Sequence, residues 1–198
     1  MSTKPPTLAF DLDRDLRALA AMASNLTPYL YEDEMYGYLS GDLPNLTLGG
    51  LLLRLYRLSQ LEDLLDADQQ NVLQDARINF EAECSKWAVH YESKLQHELH
   101  TRLDAFERFL NECGDDLQSC SANYPIQAEK RTMIEHLVDE LRELDALPEE
   151  IEGRIRHIDQ KLRRLLKEGD FITDERLEAV YPKDRFWWMY GYVPENAR

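Results

Sequence analysis

Apolar side chains recur every three or four residues along most of the chain, which is the spacing of one face of an α-helix. The longest such run crosses residues 68–113, which contain neither glycine nor proline. Its apolar positions are Leu73, Ala76, Phe80, Cys84, Trp87, Tyr91, Leu95, Leu99, Leu103, Phe106, Leu110 and Cys113. Their mean interval of about 3.6 residues predicts a straight helix of roughly 69 Å. A compact chain of 198 residues is only about 40 Å across, so the helix must break, pack along an equally long partner or project.

A second apolar run could supply that partner surface. Heptad spacing continues from Ile134 to Leu165 and passes through Pro148 without a change of phase. Because an interior proline costs about 3 kcal/mol, the run indicates either one kinked helix or a hairpin of two helices. The unchanged phase favours a kinked helix over residues 125–167, antiparallel to the long helix and preceded by a loop at residues 114–124.

Glycine, proline and capping residues mark shorter helices near both ends of the chain. The expected short helices cover about residues 11–24, 27–41, 51–66, 173–180 and 182–190. The predicted fold class is therefore all-α. We expect an elongated helical bundle with a long helix over about 68–113, a kinked or broken coiled-coil-like segment over about 125–167, and short N- and C-terminal helices. A single domain over residues 1–198, with residues 1–9 disordered, is expected.

The formal net charge of −15 disfavours nucleic acid as a partner, since binding to phosphates depends on Lys and Arg. Charge is unevenly distributed, because acids dominate residues 135–152 and bases dominate residues 154–167. The basic segment consists of Arg154, Arg156, Lys161, Arg163, Arg164 and Lys167. It is either a local nucleic-acid or phosphate patch, or a flank of the apolar seam that pairs with Glu81, Glu83, Glu92 and Glu98. The second interpretation is favoured.

Neither a membrane-spanning run nor a secretory signal is visible, so a soluble cytoplasmic protein is expected. Cys84, Cys113 and Cys120 are odd in number and form no CxxC pair, which favours reduced thiols in the core over a disulfide. No sequence motif for a cofactor is present, and none is expected to bind.

Histidines and carboxylates on one helical face form the main candidate metal site. His97, His100 and Asp104 lie at i, i+3 and i+7, and His136 with Glu140 could contribute from a second helix. Imidazole and carboxylate ligands together suit zinc, iron or manganese. The alternative, which is favoured, is that these side chains line the polar flank of a long helix.

Two further segments have a chemical and a structural interpretation. Residues 47–50 precede a helix and could bind an anion through free amides, although a flexible connection between helices is favoured. Glu32, Asp33 and Glu34 could line a magnesium site, although a solvated helix face is favoured. Neither segment matches a complete catalytic motif.

The densest aromatic stretch lies at the end of the chain, in Phe186, Trp187, Trp188, Tyr190 and Tyr192. Adjacent residues on a helix point about 100° apart, so these rings cannot all be buried on one face. They predict either a tail docked on the bundle, which is favoured, or an aromatic surface for a partner or small ligand.

These observations favour a non-enzymatic protein–protein interaction or scaffold protein that has a protein partner and forms a homodimer. One alternative is a metal-binding protein or metal-dependent enzyme that uses the His and carboxylate face. The other is local nucleic-acid binding through residues 154–167.

Overall fold

The computed structural model describes residues 9–195, which fold almost entirely into helices. The described helices are α1 Leu12–Ser24, α2 Leu26–Tyr31, α3 Leu48–Gln60, α4 Ala67–Lys86, α5 Ala88–Glu112, α6 Leu117–Glu143 and α7 Glu149–Leu165. Two short strands, β1 Lys167–Phe171 and β2 Tyr190–Tyr192, pair antiparallel. The predicted all-α helical bundle is confirmed. The predicted disorder at residues 1–9 falls, apart from Ala9, outside the described residues.

The helix predicted over residues 68–113 is in fact two helices, α4 and α5, which meet at Trp87. Trp87 has φ −118° and ψ 35°, outside the α-helical region. Its indole N–H donates to the Glu83 carboxylate at 3.1 Å, and the same carboxylate accepts from the Thr27 hydroxyl. The prediction of one helix was wrong here because the spacing of apolar residues continues unchanged through the bend.

Residues 117–165 form a helical hairpin, so the prediction of one kinked helix is also wrong. Helix α6 ends at Glu143, and Asp145 then adopts a left-handed φ of 54°. The Ala146 N–H donates to the Leu141 carbonyl at 2.8 Å, which closes the end of α6. Pro148 directly precedes α7 and begins the returning helix, as its restricted backbone favours.

Helix α6 begins earlier than predicted, which shortens the expected loop at residues 114–124 to residues 113–116. The Asp116 carboxylate accepts from the Ser119 N–H at 3.0 Å, as at a capped helix start. Pro125, predicted to open the helix, therefore lies inside it.

The described chain forms two compact units, and each is discontinuous in sequence. The first unit contains residues 9–10, 100–135 and 147–195, and the second contains residues 11–99 and 136–146. Within residues 9–195, no helix is long and apolar enough to cross a membrane.

Within the first unit, α6 runs antiparallel to its neighbours α5 and α7. Arg131 of α6 contacts Asp159 near the end of α7, as expected for antiparallel neighbours. Arg154 contacts Glu107, and Lys161 contacts Asn111, so α7 runs parallel to α5. The prediction of packing antiparallel to the long helix is therefore correct for α6 and wrong for α7.

A buried arginine joins this three-helix group to the end of the chain. Arg131 is 2% exposed, donates twice to the Asp159 carboxylate at 3.0 Å and once to Glu135 at 2.9 Å. Its guanidinium lies 4.1 Å from the ring centre of Trp188. The Trp188 indole N–H donates to the Thr132 hydroxyl at 3.0 Å. One buried cation thus links α6, α7 and the terminal aromatic residues.

The C-terminal segment contains strands and 3-10 turns where two short helices were predicted. Helix α7 ends at Leu165, and the chain continues through β1, which includes Gly169. The turns cover Glu175–Leu177 and Trp187–Met189. Gly191 allows β1 and β2 to approach closely, since a Cβ there would lie 2.5 Å from the Lys167 carbonyl oxygen.

The expectation of three reduced thiols is wrong, because Cys113 and Cys120 form a disulfide. The short turn between α5 and α6 brings their Cα atoms to 5.1 Å. Cys84 is free and half-buried, and burial raises the pKa of its thiol to about 12. Disulfides are rare in cytosolic proteins, so this pairing does not support the expected cytoplasmic location.

The second unit packs α1 against α3 and α4 around buried leucines. Asp15 of α1 lies 2.9 Å from Arg57 and 3.3 Å from Arg54, both on α3. The Tyr91 hydroxyl of α5 donates to Glu140 of α6 at 2.8 Å. These polar contacts fix which helix faces meet, while the leucines supply the apolar surface buried.

The disulfide predicts the number of titratable thiols. In guanidinium at alkaline pH, we expect one thiol per chain before reduction and three after it, measured with Ellman's reagent. A Cys84→Ser variant should show none before reduction. Three thiols in the unreduced wild-type protein would contradict the pairing.

Replacing Arg131 by Met should lower the free energy of unfolding by about 3–5 kcal/mol, because Asp159 and Glu135 lose their buried partner. Urea denaturation followed by circular dichroism measures this. Arg164→Met, an exposed change on α7, serves as the control and should cost less than about 0.5 kcal/mol. Equal losses in the two variants would mean that the buried arginine has no special role.

Candidate functional site

The connection between α2 and α3 forms an exposed, acidic surface on the second unit. We call residues 32–47 the acidic loop. It carries four acids, Glu32, Asp33, Glu34 and Asp42, and no Lys, Arg or His. The four acidic residues are exposed and lie outside any helix, so the predicted solvated helix face is a loop instead.

One end of the acidic loop is held by Lys94 of α5. The Lys94 side chain is only 6% exposed, and its ammonium donates to the carbonyl oxygens of Glu32 and of Glu34, the latter at 2.6 Å. The ammonium also lies 4.2 Å from the ring centre of Tyr29. Burial lowers the pKa of Lys94, opposed by nearby carboxylates including Glu98. The Lys94 ammonium therefore holds the loop through its main-chain carbonyl oxygens.

The other end of the loop is held one helical turn further along α5, by Glu98. This side chain is 1% exposed, and its two oxygens accept from the N–H groups of Leu48 at 2.7 Å and Gly49 at 2.9 Å. Thr47 completes the cap by accepting from the Gly50 N–H at 3.0 Å. The predicted anion site at residues 47–50 therefore has the expected geometry, and the anion is the chain's own carboxylate. The favoured alternative, a flexible connection, is wrong.

Between these two ends, the loop folds back on itself. Gly37 and Leu46 exchange backbone hydrogen bonds of 2.9 and 2.7 Å. Gly37 is required for close packing, since a Cβ there would lie 2.9 Å from the Tyr29 ring. The Tyr29 hydroxyl donates to the Met35 carbonyl at 2.9 Å, and Gly41 turns the chain with φ 80°. The loop backbone is therefore fixed at several points.

Two tyrosines project from this fixed backbone into solvent. Tyr36 is 59% exposed and Tyr38 is 84% exposed, whereas the alternate residues Gly37 and Leu39 are buried. Aromatic faces attract cations, and carboxylates form charge-assisted hydrogen bonds with guanidinium and ammonium groups. Chemically, the surface suits a cationic ligand with some apolar area.

A small aromatic cluster continues this surface beside the start of the loop. Tyr31, which is 49% exposed, lies 4.9 Å from the Trp87 ring and 4.6 Å from the His90 ring, centre to centre. Lys86 lies 5.2 Å from the centre of the Trp87 ring. The cluster already holds one cation of its own chain, which illustrates the ligand chemistry that it favours.

The predicted metal ligands do not form a site. Asp104 accepts from Arg154 at 2.5 Å, Glu140 accepts from Tyr91, and the buried His136 packs 4.7 Å from the Tyr56 ring. His97 and His100 are exposed. Across residues 9–195, no group of three or more His, Cys, Asp or Glu side chains is placed to hold a metal ion. Arginine and tyrosine partners occupy the carboxylates that the sequence offered as ligands.

The terminal aromatic residues are largely structural. Phe186 and Trp188 are 0% and 2% exposed, so their prediction as partner-binding residues is wrong. Trp187 lies under Arg163, and the Tyr190 hydroxyl donates to the Tyr181 carbonyl at 2.8 Å. Tyr192 is 47% exposed and remains available. The 3-10 turn directs Phe186 and Trp188 into the core of the first unit.

The first unit also has an open groove of about 570 Å³ between α5 and α6, next to the disulfide. Its lining mixes opposite charges, including Arg108 and Lys130 with Glu112, Asp115 and Asp116. All five of these side chains are exposed, so none is held in place by burial. The groove lacks the buried, convergent polar groups that define a small-molecule site.

Sequence reasoning missed the role of Lys94 and Glu98. Their signal was present, because they lie four residues apart beside the apolar positions Leu95 and Leu99. Charged residues that border an apolar stripe are usually exposed, and only the fold shows that these two are buried.

No protein-family model, curated protein or solved structure matches this chain. The functional interpretation therefore depends on the geometry of the acidic loop and its supporting residues.

Replacing Lys94 by Met should loosen the acidic loop, because the carbonyls of Glu32 and Glu34 lose a charged donor worth about 1.5–3 kcal/mol. Hydrogen–deuterium exchange should show faster exchange over residues 33–38. Ser93→Met introduces the same side chain at the exposed neighbouring position and should leave that exchange unchanged. Unchanged exchange in the Lys94 variant would show that the ammonium does not hold the loop.

Proposed function

We propose that this protein is a non-enzymatic interaction protein whose acidic loop binds a basic segment of a protein partner. The observation that carries the proposal is the exposure of Tyr36 and Tyr38 on a backbone fixed from below by Lys94 and Glu98. Large aromatic side chains exposed on a fixed backbone are typical of binding surfaces.

The fixed backbone supports the proposal because ordering a loop on binding reduces affinity. Fixing one residue costs about 1–2 kcal/mol of conformational free energy, and this cost is already met in the folded protein. The bridge between Gly37 and Leu46 holds the strand-like part of the loop in the same way. The free energy gained when the tyrosine rings contact a partner would therefore contribute to affinity, because little of it is spent on ordering the loop.

The charge of the surface indicates the chemistry of the partner. Glu32, Asp33 and Glu34 are consecutive and exposed, and the loop contributes no positive side chain. The net charge of −15 also accelerates encounters with a basic partner. An arginine-containing segment fits best, since guanidinium both stacks on tyrosine and pairs with carboxylates.

A labelled peptide of alternating Arg and Ser residues provides a direct test by fluorescence anisotropy at physiological ionic strength. The full chain should bind it, and a peptide of alternating Glu and Ser should not bind. Neutralising the loop with Glu32→Gln, Asp33→Asn and Glu34→Gln should weaken binding about tenfold, at about 0.5 kcal/mol for each lost pair.

The matched control removes three exposed acids elsewhere, with Asp68→Asn, Asp75→Asn and Glu81→Gln on α4. This control has the same net charge as the loop variant and should bind the Arg peptide as the wild type does. Equal weakening by both variants would mean that net charge, and not the loop, attracts the peptide, and the proposal would fail.

A further inference from the structure

The solvent face of α7 carries a row of positive side chains. Arg156, Arg163 and Arg164 are exposed, and Lys167 extends the row just beyond the helix. We call these residues the α7 stripe. The other two bases of the predicted basic segment differ, because Arg154 binds Glu107 and Asp104, and Lys161 binds Asn111. The predicted pairing with acids therefore holds for Arg154, with different acids from those predicted.

The stripe contains Arg163, whose guanidinium is oriented by a tryptophan ring and can bind a carboxylate. The Arg163 guanidinium lies 3.7 Å from the ring centre of Trp187, which packs against the buried Trp188 at 5.7 Å. Stacking supports the plane of the guanidinium and leaves its N–H edges free for a bidentate contact. Within residues 9–195, no carboxylate lies at ion-pair distance from Arg163, Arg164 or Lys167.

The α7 stripe and the acidic loop complement each other. The stripe extends about 16 Å from Arg156 to Lys167, and the loop segment from Glu32 to Tyr38 extends at most about 20 Å. Glu152, one turn before the stripe, lies 3.9 Å from Arg156, but the stripe residues themselves are all bases. The loop, in contrast, has acids and no base. Guanidinium groups match both the carboxylates and the tyrosine rings of the loop.

We propose that the acidic loop of one copy docks on the α7 stripe of a second copy of this chain. The inference rests on the proposed function and names its partner. The two surfaces belong to different parts of the chain, so in a head-to-tail assembly the copy at each end retains one unused loop or stripe. A nucleic acid is the alternative occupant of the stripe, since its phosphates would also pair with guanidinium and ammonium groups.

Sedimentation velocity of the full chain over a range of concentrations tests the inference. We expect reversible association that weakens as salt rises, since exposed charges form the contact. The loop variant Glu32→Gln, Asp33→Asn, Glu34→Gln should associate at least tenfold more weakly. The stripe variant Arg156→Gln, Arg163→Gln, Arg164→Gln should show the same loss.

Mixing the two variants is the decisive measurement. The loop variant retains an intact stripe and the stripe variant retains an intact loop, so the mixture should form dimers and nothing larger. If loss of the Arg163 stack impairs folding, Arg164→Gln with Lys167→Gln replaces the stripe variant and leaves that stack intact. Arg17→Gln, Arg108→Gln and Lys130→Gln remove three exposed bases outside the stripe and should leave association unchanged.

A chain that sediments as a monomer at every concentration would overturn the inference, as would a mixture that fails to dimerise. Binding of a short single-stranded RNA that only the stripe variant loses, without self-association, would assign the stripe to nucleic acid instead. The Arg peptide separates the two proposals. If the chain is monomeric but binds the Arg peptide through the loop, the proposed function stands and the self-association is wrong. If the chain neither self-associates nor binds the peptide, both proposals are wrong.

Discussion

The second unit depends on two buried, opposite charges on adjacent turns of one helix. Lys94 holds the carbonyls at the start of the acidic loop, and Glu98 holds the amides at the start of α3. Both charges are expensive to bury, and each is offset by hydrogen bonds to backbone groups that would otherwise lack partners. The result is an irregular connection with a defined conformation, from which Tyr36 and Tyr38 project.

The first unit uses one buried cation in a comparable way. Arg131 lies where α6, α7 and the C-terminal aromatic residues meet, and its planar group binds a carboxylate at its edge and Trp188 at its face. Burial disfavours a charged guanidinium, yet its carboxylate partners keep the pKa of Arg131 above its ordinary value. This contact helps to bury Trp188 in the core of the first unit. Trp187 lies under Arg163 at the edge of the stripe.

Apolar spacing predicted the helices because it is a local property, and helix α1 with its Asp11 cap follows the prediction closely. The errors at Trp87 and Pro148 share a cause, since the spacing of apolar residues can continue through a bend or a hairpin. The strands near Gly169 depend on contacts between segments distant in the sequence, and the disulfide depends on a contact across a turn. The acidic loop was recognised as an acidic cluster, but its shape depends on α5, which sequence spacing does not reveal.

Lys94 and Glu98 hydrogen-bond to the loop region through main-chain atoms: two carbonyl oxygens and two amide nitrogens. The loop's shape therefore depends little on the side chains that it displays at positions such as Tyr36 and Tyr38. Substitutions there can alter what the surface recognises at little cost in stability, much as hypervariable positions vary on a constant framework. Related chains with the same α5 pair could thus keep this backbone while presenting different chemistry.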